Sequence, residues 1–415
     1  MRVPSPLKHK PIPLKRSLSL PLLVLYGLGT TIGAGIYSLL GEVARAAGYF
    51  APVSFLLASL LAALTATSFA ELSARFPRAA GVALYVERGF SSRGLSLIVG
   101  LLVISAGLVS SAALLNGFVG YAQEFINTDR VIIIICCAVI IGLVAAWGIL
   151  ESVVMASLVT IVELAGLFLV VAVNDSALFS VVERWPELLP PAELSSWVGI
   201  YAGVLLAFYA FIGFEDMVDV AEEVKNVKRN LPLAILLTIT VTTLTYLLLM
   251  TTAVLALPPE QLANSSAPLA DLYSVGGSGE GALISVIGLF AIINGALIQV
   301  IMSSRVLYGL SSRGLLPSFL ARVNPRTQTP LIATVCAAVI MLSLALLGGL
   351  ASLASLTSVI ILLLFVLVNA SLWRIKRRDQ LADDVYSFPR WVPALGAVAS
   401  LGFELIQMGR YICSL

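Results

Sequence analysis

The 415-residue chain has one histidine, four cysteines and few charges, and each scarcity excludes a class of chemistry. His9 sits in the polar N-terminal stretch, so the apolar remainder lacks the usual general base and the commonest metal ligand. Cys136, Cys137, Cys336 and Cys413 lie in or beside apolar runs without metal-type spacing. They read as small buried hydrophobes, not as a disulfide framework or a zinc site. Charged residues make up 12% of the chain and apolar residues 59%, where soluble domains carry roughly 25% and 45–50%. Too few polar side chains remain to cover an ordinary globule. The net charge of +2 supplies no basic field, so nucleic acid is not an expected partner. No P-loop signature is present, and neither an enzymatic activity nor a cofactor is expected.

What the chain has instead is apolar length. Eleven stretches approach the ~20 residues needed to cross a bilayer: 18–40, 50–74, 95–120, 131–149, 153–174, 197–218, 232–257, 282–308, 330–348, 350–373 and 392–412. Only Gly348 and Gly349 divide the ninth from the tenth. The first run is too long for a signal peptide and lacks a small-residue cleavage site. If the N-terminus is cytoplasmic, 21 of the 25 Lys and Arg fall in cytoplasmic segments, leaving Arg45, Arg130, Arg184 and Arg410 outside. This is the bias of the positive-inside rule. A multi-pass, lipid-embedded protein of a bacterial inner membrane is the expectation.

Two stretches are interrupted. The first holds Gly27, Gly29, Gly33 and Gly35 within nine residues, which marks either an unwound point or a close-packing face. The sixth reads Phe208, Tyr209, Ala210, Phe211, Ile212, Gly213, Phe214, Glu215, Asp216, and its Gly213 lies 180 residues after Gly33. Glycine-interrupted segments at matching places in two halves point to an inverted-repeat transporter with its site near the midplane. The chain then divides into a tail (1–17), a first repeat (18–174), a second repeat (197–373) and a loop with an additional helix (374–415). A break at Gly33 to Gly35 frees N–H groups at the start of a half-helix, which favour a carboxylate. A break at Phe211 to Gly213 frees carbonyls, which favour an ammonium. One small molecule with both groups is an α-amino acid.

At these residues the chain resembles the amino acid, polyamine and organocation transporter superfamily, and within it the bacterial amino acid permeases. The matching segments are 27–37 (Gly-Leu-Gly-Thr-Thr-Ile-Gly-Ala-Gly-Ile-Tyr), 70–81, 211–216 continuing into 221–232, and 304–317. Many relatives have twelve spans where this chain shows eleven, and Ala80 and Val227 stand where relatives commonly have glycine and proline. The resemblance implies an all-α, LeuT-type five-plus-five inverted repeat with broken first and sixth helices and alternating access. Carried over by position, the backbone of Thr31, Ile32, Gly33, Ala34 and Gly35 would hold the substrate carboxylate. The carbonyls of Tyr209, Ala210 and Ile212, beside Gly213, would hold the amine, and Tyr209 and Phe211 fall where relatives place covering aromatics. Packing against lipid or core is the other reading of those rings.

Glu163, in the middle of the fifth stretch, costs at least about 2.5 kcal/mol at a helix centre if ionised, so it is expected to face the interior. It falls where several proton-linked relatives place a lysine. It is read as a protonatable group, a cation ligand or a structural carboxyl. Glu215 couples gating to protonation or complements the dipole of a half-helix. Asp219, Glu222 and Glu223 are expected on a solvated face or in a salt-bridge network with Lys225, Lys228 and Arg229. Asn116, Asn294 and Gln299 are candidates for interhelical hydrogen bonds, and Glu404 for packing. Secondary amino acid transport, by proton symport, is the leading expectation. Exchange, sodium coupling, a polyamine or organocation carrier, and a channel or sensor are the alternatives. The site reads as apolar apart from backbone, which favours neutral substrates.

Overall fold

The computed structural model describes residues 16–123, 125–265, 267–277, 281–348, 350–378 and 387–414. His9, the basic residues before Arg16, the 379–386 part of the loop and the side chains of Ala34, Arg410 and Cys413 lie outside the described residues.

Those residues form helices α1 (Leu20–Ala47), α2 (Ala51–Arg75), α3 (Gly81–Phe90), α4 (Arg93–Gln123), α5 (Arg130–Trp147) and α6 (Ile149–Val173). Two short helices follow, α7 (Asp175–Phe179) and α8 (Val181–Arg184), and then α9 (Leu194–Tyr209). A 3-10 helix over Phe214–Glu223 leads into α10 (Val227–Ala256), short α11 (Pro259–Asn264) and α12 (Pro268–Val275), and α13 (Ala282–Ser312). The chain closes with α14 (Leu331–Leu347), α15 (Leu350–Arg378) and α16 (Trp391–Ser414). Among the described residues the one β-type pairing is a single parallel bridge, Leu18 with Val224.

Nine helical stretches among the described residues are long and apolar enough to cross a membrane. Eleven were expected. The ninth and eleventh expected spans correspond to α14 (Leu331–Leu347) and α16 (Trp391–Ser414), of which α14 has 17 residues and α16 an apolar stretch of Trp391–Ile406 among the described residues. Seventeen residues at 1.5 Å each reach only ~25 Å, short of a ~30 Å hydrocarbon core. The outward faces are apolar: Ile132, Val139, Ile140 and Leu143 on α5, Leu158 and Ile161 on α6, and Val335 and Val339 on α14 are all exposed. Such a continuous apolar exterior suits lipid and not water.

The order of elements repeats. A broken helix comes first (α1; α9 with the 3-10 helix), then a long helix (α2; α10), short helical connectors (α3; α11 and α12), and three more helices (α4 to α6; α13 to α15). Corresponding helices pack on each other: α1 on α9, α2 on α10, α4 on α13 and α5 on α14. Close packing uses small residues. A methyl group at Gly203 would lie 2.6 Å from Ser54 Oγ, and one at Gly309 2.7 Å from the Ala79 carbonyl carbon. Polar side chains within the bundle bond across helices. Ser68 donates to Asn369 Oδ1 (2.7 Å) and Asn369 donates to Thr65 Oγ1 (3.0 Å), joining α2 to α15.

Candidate functional site

The two interruptions meet. Within α1 only Gly33 leaves helical geometry (φ −30°, ψ −143°). The other three glycines of that cluster serve packing: a Cβ at Gly27 would lie 2.5 Å from Met217 Sδ, at Gly29 2.3 Å from Thr160 Oγ1, and at Gly35 3.3 Å from Ala210 Cα. Unwinding and close approach, the two readings of the glycine cluster, thus divide it between them. Helix α9 ends at Tyr209, and the chain turns through Ala210 to Gly213 before the 3-10 helix begins. Gly213 has φ +125°, and a Cβ there would lie 2.7 Å from the Thr30 carbonyl oxygen. Backbone therefore touches backbone where the two helices break.

Tyr246, on α10, ties the breaks together. Its hydroxyl, fully buried, donates to Thr31 O (2.9 Å) and Ala210 O (3.0 Å), sharing one proton between two carbonyls that the breaks release from their helices. No spacing or composition signal in the sequence marks this residue. Its ring packs against Phe55 and Phe211, with centroids 5.5 and 5.2 Å away.

A cavity of about 50 Å³ adjoins the breaks, lined by Thr30, Thr31, Gly35, Tyr209 and Ile212 and, from the facing helices, by Ser110, Gln299 and Thr357 among others. Of the residues singled out in the sequence, Thr31, Gly35, Tyr209 and Ile212 are thus brought to one space. Ile32 and Phe211 are buried in the wall beside it. Phe211 packs on Phe55 and Tyr246, so the aromatic that faces the cavity is Tyr209 alone. The Ala210 carbonyl is engaged by Tyr246 and the Tyr209 carbonyl accepts from Ile212 N (3.2 Å).

A second cavity, about 20 Å³, shares Ser110, Ile212, Gln299 and Thr357 with the first and continues it along the 3-10 helix, where Glu215, Asp216 and Asp219 line it. Glu215 Oε2 accepts from Gly213 N (2.9 Å), capping the 3-10 helix, while its Oε1 has no partner. Gln299, expected to bridge helices, donates to Asp216 Oδ2 (2.6 Å).

Glu163 is wholly buried between α6, α13 and α1. Asn294 Nδ2 donates to its Oε1 (3.0 Å) and to Thr160 Oγ1 (3.1 Å), while Glu163 Oε2 and Asn294 Oδ1 have no partner among the described residues. The bare backbone of Gly29, one turn before the break, lies against this cluster.

The acidic run Asp219, Glu222 and Glu223 is not a solvated face. Asp219 and Glu223 are buried, and Glu222 turns away from Lys225 to Ala79 N (3.3 Å), Tyr308 Oη (3.5 Å) and Arg78 (4.0 Å). Glu223 pairs with Arg305, both side chains fully enclosed, with Nε to Oε1 at 3.2 Å. Arg305 lies inside α13. The backbone N–H groups of Ser17 and Leu18 donate to Glu223 O (2.9 and 3.0 Å), and Lys225 N to Leu18 O (2.9 Å). Phe69, Phe214 and Phe365 pack on one another at centroid distances of 5.6 to 5.9 Å, and Phe69 and Phe365 line the second cavity. Just past the end of α13, burial lowers the pKa of Arg313, and its ion pair with Glu87 opposes that effect.

Comparison with known proteins supplies an independent line. The family model described as amino acid permease matches residues 18–408. Over 383 residues the chain is 30% identical to the vacuolar cationic amino acid transporter 4 of Arabidopsis thaliana, an alignment covering 86% of this chain and 63% of that protein. It is 26% identical over 424 residues to the branched-chain amino acid permease BcaP of Bacillus subtilis, covering 95% of this chain and 89% of that one. Identity to the human cationic amino acid transporter 4 is 28% over 382 residues, covering 86% and 59%. The chain spans about three fifths of the length of the plant and human relatives.

Proposed function

The chain belongs to the amino acid permease family, and on that premise we propose that it carries an amino acid across a membrane by alternating access around the joined breaks. The observation that carries this is one cavity lined from both broken segments, by Thr30, Thr31 and Gly35 of α1 and by Tyr209 and Ile212 next to Gly213, with Tyr246 bridging the carbonyls of Thr31 and Ala210. The substrate carboxylate meets the backbone N–H groups of Thr31 to Gly35, at the start of a half-helix whose dipole favours an anion. The amine is received by the carbonyl end of α9, around Tyr209 and Ile212, with Tyr209 as the covering ring. The Arg305–Glu223 network is the gate at one end. By the charge bias of the loops that end is cytoplasmic, as is the N-terminus.

Glu163 is the proposed coupling group. Its unpartnered oxygen, fully enclosed beside the break in α1, is a place where a proton is better accommodated than a bare charge. Binding there changes the packing of Gly29 and so the break itself. Proton symport is the mode this favours, with exchange as the alternative. The test is uptake of radiolabelled amino acids into liposomes, with and without an inward proton gradient, for wild type and Glu163→Gln. Gradient-dependent uptake that becomes gradient-independent in the variant supports symport. Uptake that ignores the gradient and needs an internal amino acid identifies an exchanger, and leaves Glu163 a structural role.

A further inference from the structure

The cations that end α15 divide into two sets. Lys376 is buried and donates to Glu71 Oε2 (2.6 Å), and Arg75 reaches Oε1 of the same carboxylate (2.7 Å). Helical spacing puts Arg374, Arg377 and Arg378 together on the side opposite Lys376. Arg374 donates from Nε to Gly89 O (3.1 Å), and its guanidinium carbon lies 4.7 Å from the centre of the Phe90 ring. Arg378 donates to Ser91 Oγ (3.0 Å), and Arg377 stands over Trp373 at 4.7 Å. Ring faces and the end of α3 thus hold the three forks in place, while a guanidinium with five N–H groups keeps most of its donors for another partner. The acids of the adjoining elements are already engaged, Glu71 by Arg75 and Lys376 and Glu87 by Arg313. Among the described residues no carboxylate forms an ion pair with any of the three arginines.

The place in the fold says what anion meets them. Leu363 on α15 and Ile98 and Leu101 on α4 are exposed, and Trp373, at 36% exposure, stands at the end of that apolar surface. An exposed tryptophan at the end of an apolar helix marks the headgroup layer of a bilayer, and arginine side chains reach into the same layer. Arg93, which opens α4, donates to Arg313 O (3.4 Å), so the patch lies at the same end of the bundle as the Arg305–Glu223 pair. Planar forks match phosphate oxygens two by two. A zwitterionic headgroup brings its own ammonium to that phosphate, whereas an anionic one leaves a net charge for the arginines to complement. We propose that Arg374, Arg377 and Arg378, with Phe90, Ser91 and Trp373, form a binding surface for the headgroup of an anionic phospholipid in the adjoining leaflet. The headgroup is then tied through Gly89 and Ser91 to the connection between α3 and α4.

Native mass spectrometry of the purified chain, taken from micelles with equal amounts of phosphatidylglycerol and phosphatidylcholine, counts the lipids that stay bound. Wild type is expected to keep phosphatidylglycerol over phosphatidylcholine at least tenfold, and the triple variant Arg374→Gln, Arg377→Gln, Arg378→Gln to lower that ratio at least fivefold. A second triple variant, Lys228→Gln, Arg322→Gln, Arg326→Gln, removes the same charge from exposed positions at the same end of the bundle and is expected to leave the ratio unchanged. Equal losses in the two triple variants overturn a local site in favour of general surface charge. Equal retention of both lipids by wild type overturns the proposal as well; that is the result expected where Asp379, Asp383 and Asp384, next in the sequence, take the arginines instead. Thermal unfolding in detergent separates lipid from soluble phosphate: dihexanoyl phosphatidylglycerol is expected to raise the midpoint, and glycerophosphoglycerol, the same headgroup without chains, to leave it in place. Equal shifts from the two compounds overturn a lipid as the occupant. Where the first triple variant does not fold, Arg377→Gln, whose ring contact lies on its own helix, is expected to halve the lipid ratio, and an unchanged ratio overturns the site.

Discussion

Tyr246 shows how much can rest on one hydroxyl. It donates to carbonyls from two different broken helices, and in a buried site each carbonyl left without a donor costs about 1–3 kcal/mol. Tyr246→Phe keeps the ring and its contacts with Phe55 and Phe211 while removing that donor. The variant is expected to unfold several degrees lower in detergent and to bind substrate more weakly; an unchanged midpoint with unchanged uptake would show that the bridge is dispensable. The residue was not legible beforehand, because a tyrosine among Thr and Leu in an apolar span carries no sign of which carbonyls it will meet. Glu163 was legible, since a carboxylate in mid-span can hardly face lipid. Its partner Asn294 was foreseen only as a bridging polar group. Arg305 was counted only as a cation on the cytoplasmic side, because sequence counts charge along a chain and cannot tell that an arginine near a helix end turns inward to meet Glu223.

At the scale of elements, the two breaks differ in what they demand of their glycines. Gly213 sits at φ +125° with the Thr30 carbonyl 2.7 Å from where a Cβ would stand, whereas a Cβ at Gly33 would find its closest neighbour, Ala291 O, at 3.8 Å. Backbone held in such a positive-φ conformation costs a residue with a side chain roughly 1–3 kcal/mol, before the clash with Thr30 is added. Gly213→Ala is therefore expected to lower the thermal midpoint and abolish uptake, and Gly33→Ala to fold nearly as well as wild type. Equal behaviour of the two variants, measured by thermal unfolding and uptake side by side, would contradict this asymmetry. Both glycines were visible as interruptions in apolar runs. Their unlike surroundings were not, because a steric demand depends on the helix lying opposite. The same holds for Gly27, Gly29 and Gly35, read as an unwound point or a close-packing face, which serve as contact faces for α6, α10, α13, the 3-10 helix and the turn at Ala210.

For the whole molecule, the charge bias predicts which side of the membrane each end of the bundle faces. Single cysteines at Arg93 and Arg326, placed in a version of the chain without its native cysteines, should be protected from a membrane-impermeant thiol reagent in right-side-out vesicles. A cysteine at Arg184 should react. The reverse pattern would invert the topology and place the Arg305–Glu223 pair toward the outer side. Apolar run length and two glycine interruptions in the chain by themselves determined an all-α membrane protein whose first and sixth spans are broken, because each is a demand the bilayer places on local sequence. Tertiary structure alone decided that Phe211 belongs to the wall, that Tyr246 joins the two breaks and that three carboxylates share one cavity. Those facts depend on side chains from helices far apart in sequence converging on one point, and no local pattern encodes that convergence.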